Sequence, residues 1–387
     1  MIKFCLFSFY LGMVAVLPGQ EIQKDSLNAR IVQLSPEIFS EPRSGITIVA
    51  VGDLNFARSE APVDSSGGVS NRGVFPFSHY SANIADLIDG DINYCNLETT
   101  VIAHNRLSAA DKSYCFRIHP NGVKHLCDIG FNLFSLANNH MEDYGKQGVV
   151  ETVQNMKEIS RYYNLAYSGA GENLEQATRP SILEVRGYRI AFSSIGFSGL
   201  PAYQSSPGVA TPNYFETICE RLAAEDADYR ILAMHRGQER DPYVQGYQME
   251  IARRAMDEYG IDLVIGNHPH IAQAVEYREG KMAFYSLGNF LMLGARDMAT
   301  VPGGTNRMDF GVLAKIYLSN QLTLDSVAVI PIYDMHYQPH PVEDSSGVRQ
   351  RIDWLNTIST SPYISGIESP VVFSSDGKQG LFVPPGD

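Results

Sequence analysis

The sequence lacks an excess of basic residues. Its 387 residues include 30 Lys and Arg against 43 Asp and Glu, which gives a formal net charge of -13. Proteins that bind nucleic acids or anionic membrane surfaces depend on clustered Lys and Arg. The charge balance therefore argues against nucleic acid as a partner, although a pocket that holds a metal ion can still be locally positive.

Cysteine is scarce, and its spacing matches no zinc-binding motif. Five Cys are present, of which Cys5 lies in an apolar N-terminal segment. The other four would permit two disulfides in an oxidising compartment, which is one interpretation. Cys95 falls in a predicted buried strand, where a free thiol behaves as a small apolar side chain. We favour this second interpretation and expect free thiols at Cys95, Cys115, Cys127 and Cys219.

The sequence beyond the N-terminus lacks apolar runs long enough to span a membrane. The chain begins with Met1-Ile2-Lys3, continues with the uncharged apolar residues 4–17, and then reaches Pro18-Gly19. This layout is typical of a secretory signal peptide, and the run is shorter than the about 20 residues of a membrane span. The cleavage-site pattern is poor, so an uncleaved signal that anchors the protein is the alternative. We expect an exported protein that is periplasmic, extracellular or anchored at the cell envelope.

Two common catalytic signatures are missing as well. The sequence contains neither a Gly-x-Ser-x-Gly nucleophile elbow nor a P-loop. Residues 286–290 end a predicted strand with Gly and Asn, and we interpret them as a turn that shapes a rim rather than as a nucleophile. Any catalytic activity must therefore depend on a different set of side chains.

The composition is that of a folded protein, with 44% apolar and 19% charged residues. We divide the chain into a signal peptide at 1–19, a linker at 20–44, one domain at 45–334 and a C-terminal extension at 335–387. Strands alternate with amphipathic helices and antiparallel hairpins follow, which predicts an α/β fold with mixed sheets and helices outside. We expect helices at 78–88, 122–128, 147–163, 214–224, 245–259 and 349–358, hairpins at 181–195, 275–287 and 310–332, and a surface loop at 59–75.

Polar residues follow five short apolar runs, each of which has the pattern of a buried strand. The carboxyl ends of strands in an α/β sheet are where ligands bind, so these residues should meet at one rim. Carboxylate, amide and imidazole groups at one rim suit divalent metal ions such as Mn, Fe or Zn. The residues are Asp53, Glu98, Asn139, His140, His235, His268 and His270.

Each of these residues alone has an ordinary structural interpretation. An Asn is common in turns, a lone His is more often hydrogen-bonded than metal-bound, and an acidic residue can cap a helix or pair with a cation. The joint pattern is stronger than its parts, because Pro269 lies between His268 and His270 and partly fixes the pair. Two cations held this way would activate a water molecule and bind both the attacking and leaving oxygens of a phosphoryl group.

The order of these motifs resembles the CapA family of capsule and poly-γ-glutamate biosynthesis proteins, which are related to calcineurin-like metallophosphoesterases. The resemblance covers about residues 45 to 295 and implies a four-layer α/β/β/α sandwich. It implies that Glu98 bridges the metal ions and that His140 assists the leaving group. The metal ligands that it implies are Asp53, Glu98, Asn139, His235, His268 and His270.

Two positions depart from the related sequences. Ordinary phosphoesterases begin with Asp-x-His, whereas this chain has Asp53-Leu54-Asn55, so that the first metal site loses an imidazole. The CapA family usually has an aromatic residue where this chain has Arg236. Arg236 could bind an anionic substrate in a bidentate manner, or it could point to solvent or pair with Glu239. Arg117 is a further candidate for anion binding, and its alternative is a surface salt bridge.

The sequence supports two functions of different classes. The first is a hydrolase or transferase that uses one or two metal ions on a phosphoester or a γ-glutamyl polymer, with Glu98 and His140 as catalytic residues. The second is a non-catalytic subunit that binds an anionic polymer or helps a membrane synthase complex to export it. The missing imidazole favours the second function, and the otherwise intact ligand series favours the first.

Overall fold

The computed structural model describes residues 45–294, 310–362 and 366–385, and the predicted signal peptide and linker lie outside this range. The strands are β1 (Thr47–Asn55), β2 (Gly67–Ser70), β3 (Gly73–Pro76), β4 (Ile92–Leu97), β5 (Thr100–Val101), β6 (Arg117–Ile118), β7 (Leu133–Ser135), β8 (Ala166–Ser168), β9 (Ala170–Gly171), β10 (Ser181–Val185), β11 (Tyr188–Gly196), β12 (Gly208–Val209), β13 (Tyr229–His235), β14 (Leu263–Asn267), β15 (Val275–Arg278), β16 (Lys281–Phe284), β17 (Asn289–Met292), β18 (Gly311–Leu318), β19 (Leu324–Tyr333), β20 (His340–Pro341), β21 (Ser374–Ser375) and β22 (Gly380–Phe382). The helices are α1 (Phe77–Ser81), α2 (Pro120–Asp128), α3 (Gly145–Ile159), α4 (Leu174–Ala177), α5 (Phe215–Ala224), α6 (Gly246–Tyr259) and α7 (Ser345–Thr360), with short 3-10 turns at Ala85–Leu87, Asn139–Glu142 and Pro212–Tyr214.

Most of the strands belong to two mixed sheets. The larger sheet has the order β21-β22-β19-β18-β1-β4-β7-β8, with β17 beside β1 and β20 beside β19. Its strands β1, β4, β7 and β8 are parallel, and β18 runs antiparallel to β1. The smaller sheet has the order β10-β11-β13-β14-β16-β15, in which only the two outer strands are antiparallel to their neighbours. The predicted mixed α/β class is confirmed.

Three apolar layers separate four layers of secondary structure. Successive side chains of a strand point to opposite faces, so a central strand that is covered on both sides reads as a continuous apolar run. In β1, Val49 and Val51 face helices α1 to α3, while Ile48 and Ala50 face the smaller sheet. Helices α5 and α6 cover the outer face of the smaller sheet. The arrangement is the α/β/β/α sandwich that the family resemblance implies.

The register of the parallel strands brings their carboxyl ends to one level. Asp53 in β1 lies opposite Asn96 in β4 and Asn289 in β17. His235 in β13 lies opposite Asn267 in β14. The hydroxyl of Tyr94 donates a hydrogen bond of 2.7 Å to Asn267 Oδ1 and so joins the two sheets near these ends. Residues from both sheets can therefore contribute to one site.

Two local predictions are wrong. A continuous helix at 78–88 does not form, because α1 stops at Ser81 and only a 3-10 turn follows at Ala85–Leu87. Asn83 and Asp86 are weak helix formers in this stretch, which favours a break. The surface loop at 59–75 contains the β2–β3 hairpin, which is hidden in the sequence by its Gly and Ser content.

The remaining helices and hairpins are present within a few residues of their predicted bounds. The chain after residue 334, whose packing the sequence does not decide, adds β22 to the edge of β19 and lays α7 against the core between the sheets. Cys95, Cys115, Cys127 and Cys219 are free thiols, as expected. Within the described residues, no helix has the length and apolarity that a membrane crossing requires.

Candidate metal centre

The predicted ligands come together where the two sheets meet. The larger sheet supplies Asp53 from β1, Glu98 from the residue after β4, and Asn139 and His140 from the turn after β7. The smaller sheet supplies His235 from the end of β13 and His268 and His270 from the segment after β14. All of them except Asn139 are buried, and both carboxylates are completely inaccessible to solvent.

Glu98 lies at the centre of the cluster. Its Oε1 atom is 3.5 Å from His235 Nε2, 3.8 Å from His270 Nε2 and 3.8 Å from His140 Nε2. Asp53 completes the cluster on one side, with Oδ2 3.3 Å from His270 Nδ1 and Oδ1 3.8 Å from His235 Nδ1. One carboxylate shared by three imidazoles has the geometry of a bridging ligand.

The cluster contains buried polar atoms that no described residue satisfies. Both carboxylate oxygens of Glu98 and the Nδ1 atom of His268 lack hydrogen-bond partners. A buried carboxylate without donors costs several kcal/mol unless a cation compensates it. Two groups can each place three ligand atoms within 4.8 Å of one another, and they share Glu98: Glu98, His268 and His270, and Asp53, Glu98 and His235. This donor set fits divalent metal ions.

The protonation of the metal-free cluster is consistent with this fit. Burial raises the pKa of Glu98 well above its usual value, and the Asp53 charge raises it further. Burial lowers the pKa of His235 well below its usual value and, together with neighbouring imidazoles, lowers that of His268 to about 3. Burial also opposes the charged form of His270, but Glu98 and Asp53 outweigh it and raise its pKa to about 10. His235 and His268 therefore keep neutral nitrogens that can bind a cation.

Amide side chains around the cluster hold its members in place. Asn289 Oδ1 lies 2.8 Å from His270 Nδ1, which leaves His270 Nε2 directed at Glu98. Asn96 donates a hydrogen bond of 2.8 Å to Asp53 Oδ1 and lies 3.1 Å from His235 Nδ1. Partners of this kind fix the orientation of metal-binding side chains. The sequence analysis gave no role to Asn96 or Asn289. Asn96 lies two residues before Glu98, and Asn289 directly follows Gly288.

His140 is oriented by a buried acidic residue. Its Nδ1 atom is 2.8 Å from Asp143 Oδ2, and Lys112 Nζ lies 2.8 Å from Asp143 Oδ1. Because a carboxylate only accepts hydrogen bonds, His140 carries a proton on Nδ1 and turns Nε2 towards Glu98. Lys112 also donates a hydrogen bond to the backbone oxygen of Asn139. The sequence analysis assigned no role to Asp143 or Lys112.

Comparison with known proteins identifies the family. The model of the family described as bacterial capsule synthesis protein PGA_cap matches residues 47–293. The chain belongs to this family. Its relatives include the PGA biosynthesis protein CapA of Bacillus subtilis, with 32% identity over 247 residues that make up 62% of each chain. The capsule biosynthesis protein CapA of Bacillus anthracis is 28% identical over 309 residues, or 77% of this chain and 69% of the relative.

The chain thus spans slightly less than two thirds of the Bacillus subtilis relative. Among solved structures, the fold is similar to a putative 5'-nucleotidase of Staphylococcus aureus, with a TM-score of 0.39 and 14% identity over 81% of this chain and 59% of the other. A calcineurin-like phosphoesterase of Bacillus subtilis gives a TM-score of 0.37 and 15% identity over 78% of this chain and 90% of the other. We draw no functional conclusion from structural similarity at this level.

Asn55, which replaces the expected His in this member of the PGA_cap family, does not turn towards the cluster. Its side-chain amide donates to the backbone oxygen of Ala57, and its Oδ1 accepts from the backbone nitrogen of Ala57 at 3.0 Å. Both ends of the side chain are therefore used within its own turn. The side of the cluster formed by Asp53 has one imidazole fewer than an Asp-x-His site.

Backbone geometry at two of the candidate ligands is strained. His268 has a φ of 97° and His270 a φ of 60°, in the left-handed region that disfavours residues with a Cβ. Close packing also surrounds Asp53, because a Cβ at Gly52 would lie 1.8 Å from the backbone oxygen of Gly288. Such strain persists only where the surrounding structure imposes it, and it is concentrated at functional sites.

The two predicted anion-binding arginines have different environments. Arg117 donates hydrogen bonds to the backbone oxygens of Ala61 and Leu107, and its guanidinium lies 4.6 Å from the centre of the Tyr144 ring. Arg117 therefore joins neighbouring loops through hydrogen bonds. Its role in substrate binding stays a prediction. Arg236 directly follows the candidate ligand His235 at the end of β13.

The Arg236 guanidinium lies 4.6 Å from the centre of the Tyr247 ring, and its charge contributes to the lowered pKa of His268. No ion pair joins it to Glu239 among the described residues, so the predicted alternative of that pairing is not observed. Arg236 is therefore available to an anion beside the cluster.

Proposed function

We propose that this protein is a metal-dependent hydrolase or transferase that acts on the γ-glutamyl polymer of a capsule. The observation that carries the proposal is the buried Glu98 carboxylate, which has imidazoles around it but no hydrogen-bond donor. Membership of the capsule-synthesis family supports the polymer as the substrate. A phosphoester is the alternative substrate, because the same donor set suits phosphoryl chemistry.

The six predicted ligands would hold one or two divalent ions. A bound ion would lower the pKa of a water molecule and polarise the carbonyl or phosphoryl group to be attacked. His140 donates a proton from Nε2 to the leaving group, and Asp143 stabilises the imidazolium that exists before this transfer. Burial lowers the pKa of His140, and the hydrogen bond that His140 donates to Asp143 opposes that effect.

Arg236 supports an anionic substrate. Its planar guanidinium can bind a carboxylate through two hydrogen bonds, and the Tyr247 ring holds the group in one plane. Every residue of a γ-linked glutamate polymer keeps a free α-carboxylate that could bind there. Arg117 is a second candidate for binding a carboxylate of the polymer.

A second candidate function is a non-catalytic subunit of a membrane synthase complex, which binds the polymer or assists its export. The observation that favours it is the engagement of Asn55 with Ala57, which leaves one side of the cluster short of a ligand. A cluster with a single cation could hold a polymer carboxylate without cleaving the chain.

Metal analysis and turnover separate the two functions. We expect purified protein to contain about one or two Mn, Fe or Zn ions per chain and to lose them in the His268→Ala and His270→Ala variants. The catalytic proposal expects cleavage of poly-γ-glutamate that is lost in Glu98→Ala. Cleavage of an aryl phosphodiester alone would identify the phosphoester as the substrate. Undiminished metal in both His variants would refute the metal centre, and metal binding without any turnover would favour the accessory subunit.

We also propose that the protein works outside the cytoplasm. The charged start followed by the apolar residues 4–17 supports export, and capsule synthesis is a process of the cell envelope. Cell fractionation and N-terminal sequencing test this proposal. Recovery from the envelope or medium is expected, and recovery only from the cytoplasm would contradict it.

A further inference from the structure

The segment between β13 and α6 lies directly against two metal ligands. Arg236 donates its backbone N–H to the oxygen of Asn267, and Arg240 donates its own to the oxygen of Pro269, at 3.0 and 2.8 Å. Gly237 has a φ of 143°, and a Cβ there would lie 2.7 Å from the Pro269 ring. The segment is therefore fixed against the residue between His268 and His270.

Two opposite charges project from this fixed segment without neutralising each other. Arg236 is half-buried, and its Nε atom has no hydrogen-bond partner among the described residues. Glu239 is exposed, and no ion pair or hydrogen bond ties it to the described part of the chain. Both charges act on the cluster, since Arg236 contributes to the pKa shift of His268 and Glu239 to those of Glu98 and His270.

Exposed rings accompany these charges. Phe197 is 41% exposed, and the centre of its ring lies 5.2 Å from that of His268. Tyr247, which lies under Arg236, is 38% exposed. Two exposed rings thus lie beside the cluster, one against His268 and one against Arg236.

We propose that Arg236 and Glu239 form a subsite for the amino-terminal residue of the polymer, an inference that rests on the proposed function. Arg236 binds the α-carboxylate and Glu239 binds the α-ammonium group. In a γ-linked chain every residue has an α-carboxylate, but only the amino-terminal residue has a free α-ammonium group. A paired cation and anion therefore distinguish the end of the polymer from its interior.

With this subsite, the proposed hydrolysis starts at the amino terminus of the polymer. The first γ-amide is joined to the α-carbon through two methylene groups, so an anchored terminus holds it beside the cluster. Water adds its oxygen to the γ-carbonyl carbon, the C–N bond breaks, and a proton passes to the leaving α-nitrogen. The products are free glutamate and a polymer that is shorter by one residue and has a new amino terminus.

The test compares two oligomers of γ-linked glutamate that are attached to a surface through their carboxyl ends. One has a free amino terminus and the other is acetylated there. Binding of the full-length, Mn²⁺-loaded protein is measured by surface plasmon resonance. We expect the wild-type protein to bind the free terminus on the order of tenfold more tightly, as one charge-assisted hydrogen bond provides.

The Glu239→Gln variant should bring the ratio of the two affinities close to one, because it removes the charge but keeps the size. Glu220→Gln, at an exposed position on the outer helix α5, is the matched control and should keep the wild-type ratio. A wild-type ratio of one, or a ratio that Glu239→Gln leaves intact, overturns the subsite alone. Failure of the wild-type protein to bind either oligomer overturns the proposed polymer substrate together with the subsite.

Discussion

At the scale of single residues, the cluster combines an unsatisfied carboxylate with strained backbone. Glu98 has no donor among the described residues, and His268 and His270 both have positive φ values. Neither feature stabilises a metal-free protein, because a buried carboxyl group without hydrogen-bond donors and a left-handed non-glycine residue each have an unfavourable free energy. Both features are explained if a cation binds there, since it would pair with Glu98 and gain from imidazoles already in position.

The strain at His268 can be measured by comparing two substitutions. His268→Ala keeps a Cβ at a φ of 97°, whereas His268→Gly removes it. Both variants lose the same ligand, so we expect the Gly variant to be more stable by about 1 kcal/mol. Chemical denaturation in the presence of a chelator measures the difference.

His235 provides the control for this comparison, because it lies within strand β13 and has no positive φ. There the order should be reversed, since Gly in a strand is less stable than Ala. An Ala variant at His268 that is as stable as the Gly variant would show that the backbone at this position is not strained.

Asn289 gives a second test at the residue scale. Asn289→Ala removes the hydrogen-bond partner of His270 Nδ1, and loss of such a partner typically weakens metal binding about 10–100-fold. Titration of metal-free protein with Zn²⁺ or Mn²⁺ measures the change. Asn55→Ala is the control, because among the described residues the Asn55 side chain bonds only within its own turn, and we expect it to leave metal affinity unchanged.

At the scale of elements, the sequence predicts best those strands that are covered on both faces. Strands β1, β13 and β14 are continuous apolar runs that end in polar residues, and both features are visible in a single sequence. The β2–β3 hairpin is not visible in this way, because backbone pairing and the Tyr80 hydroxyl bond to Gly68 hold it rather than an apolar pattern. Helix α1 ends early because weak helix formers follow it, and the apolar pattern does not show this effect.

The sequence also predicts the candidate site only in part. The meeting of its candidate ligands could be predicted because each stands at a strand end, as Glu98 and His235 do. Two supporting residues could not, because Asn96 and Asn289 owe their roles to partners that lie 43 and 19 residues away in the sequence. A single sequence gives the side chains of a site more readily than the hydrogen bonds that orient them.

Helix α7 provides a prediction at this scale, because it packs its apolar face into the core between the sheets. Leu355 is only 1% exposed, so Leu355→Ala should lower the free energy of unfolding by about 2–5 kcal/mol. Denaturant unfolding measures this loss, and metal content at 25 °C should not change. Gln350→Ala on the exposed side of the same helix should change stability by less than about 0.5 kcal/mol. Equal effects of the two substitutions would contradict this packing.

At the scale of the whole molecule, the cluster joins the two sheets. Asp53 and Glu98 come from the larger sheet, and His235, His268 and His270 come from the smaller one. A cation held between them would cross-link the two halves of the sandwich at the edge where the strands end. Its binding energy would therefore stabilise the domain as well as the site.

Removal of the metal should lower the stability of the whole domain. A ligand present at 100 times its Kd stabilises the folded state by about 2.7 kcal/mol. We expect a chelator to lower the Tm measured by calorimetry and added Mn²⁺ or Zn²⁺ to restore it. The His270→Ala variant should show a much smaller change, and an equally large change in that variant would mean that the metal acts elsewhere.

The most direct measurement is anomalous diffraction from crystals of the purified protein, recorded at the absorption edge of the metal that elemental analysis finds. The account predicts a peak at about 2.0–2.3 Å from the Glu98 carboxylate and from imidazole nitrogens of His235, His268 or His270. Protein that binds no metal at this cluster, or a peak held by other residues, would contradict it.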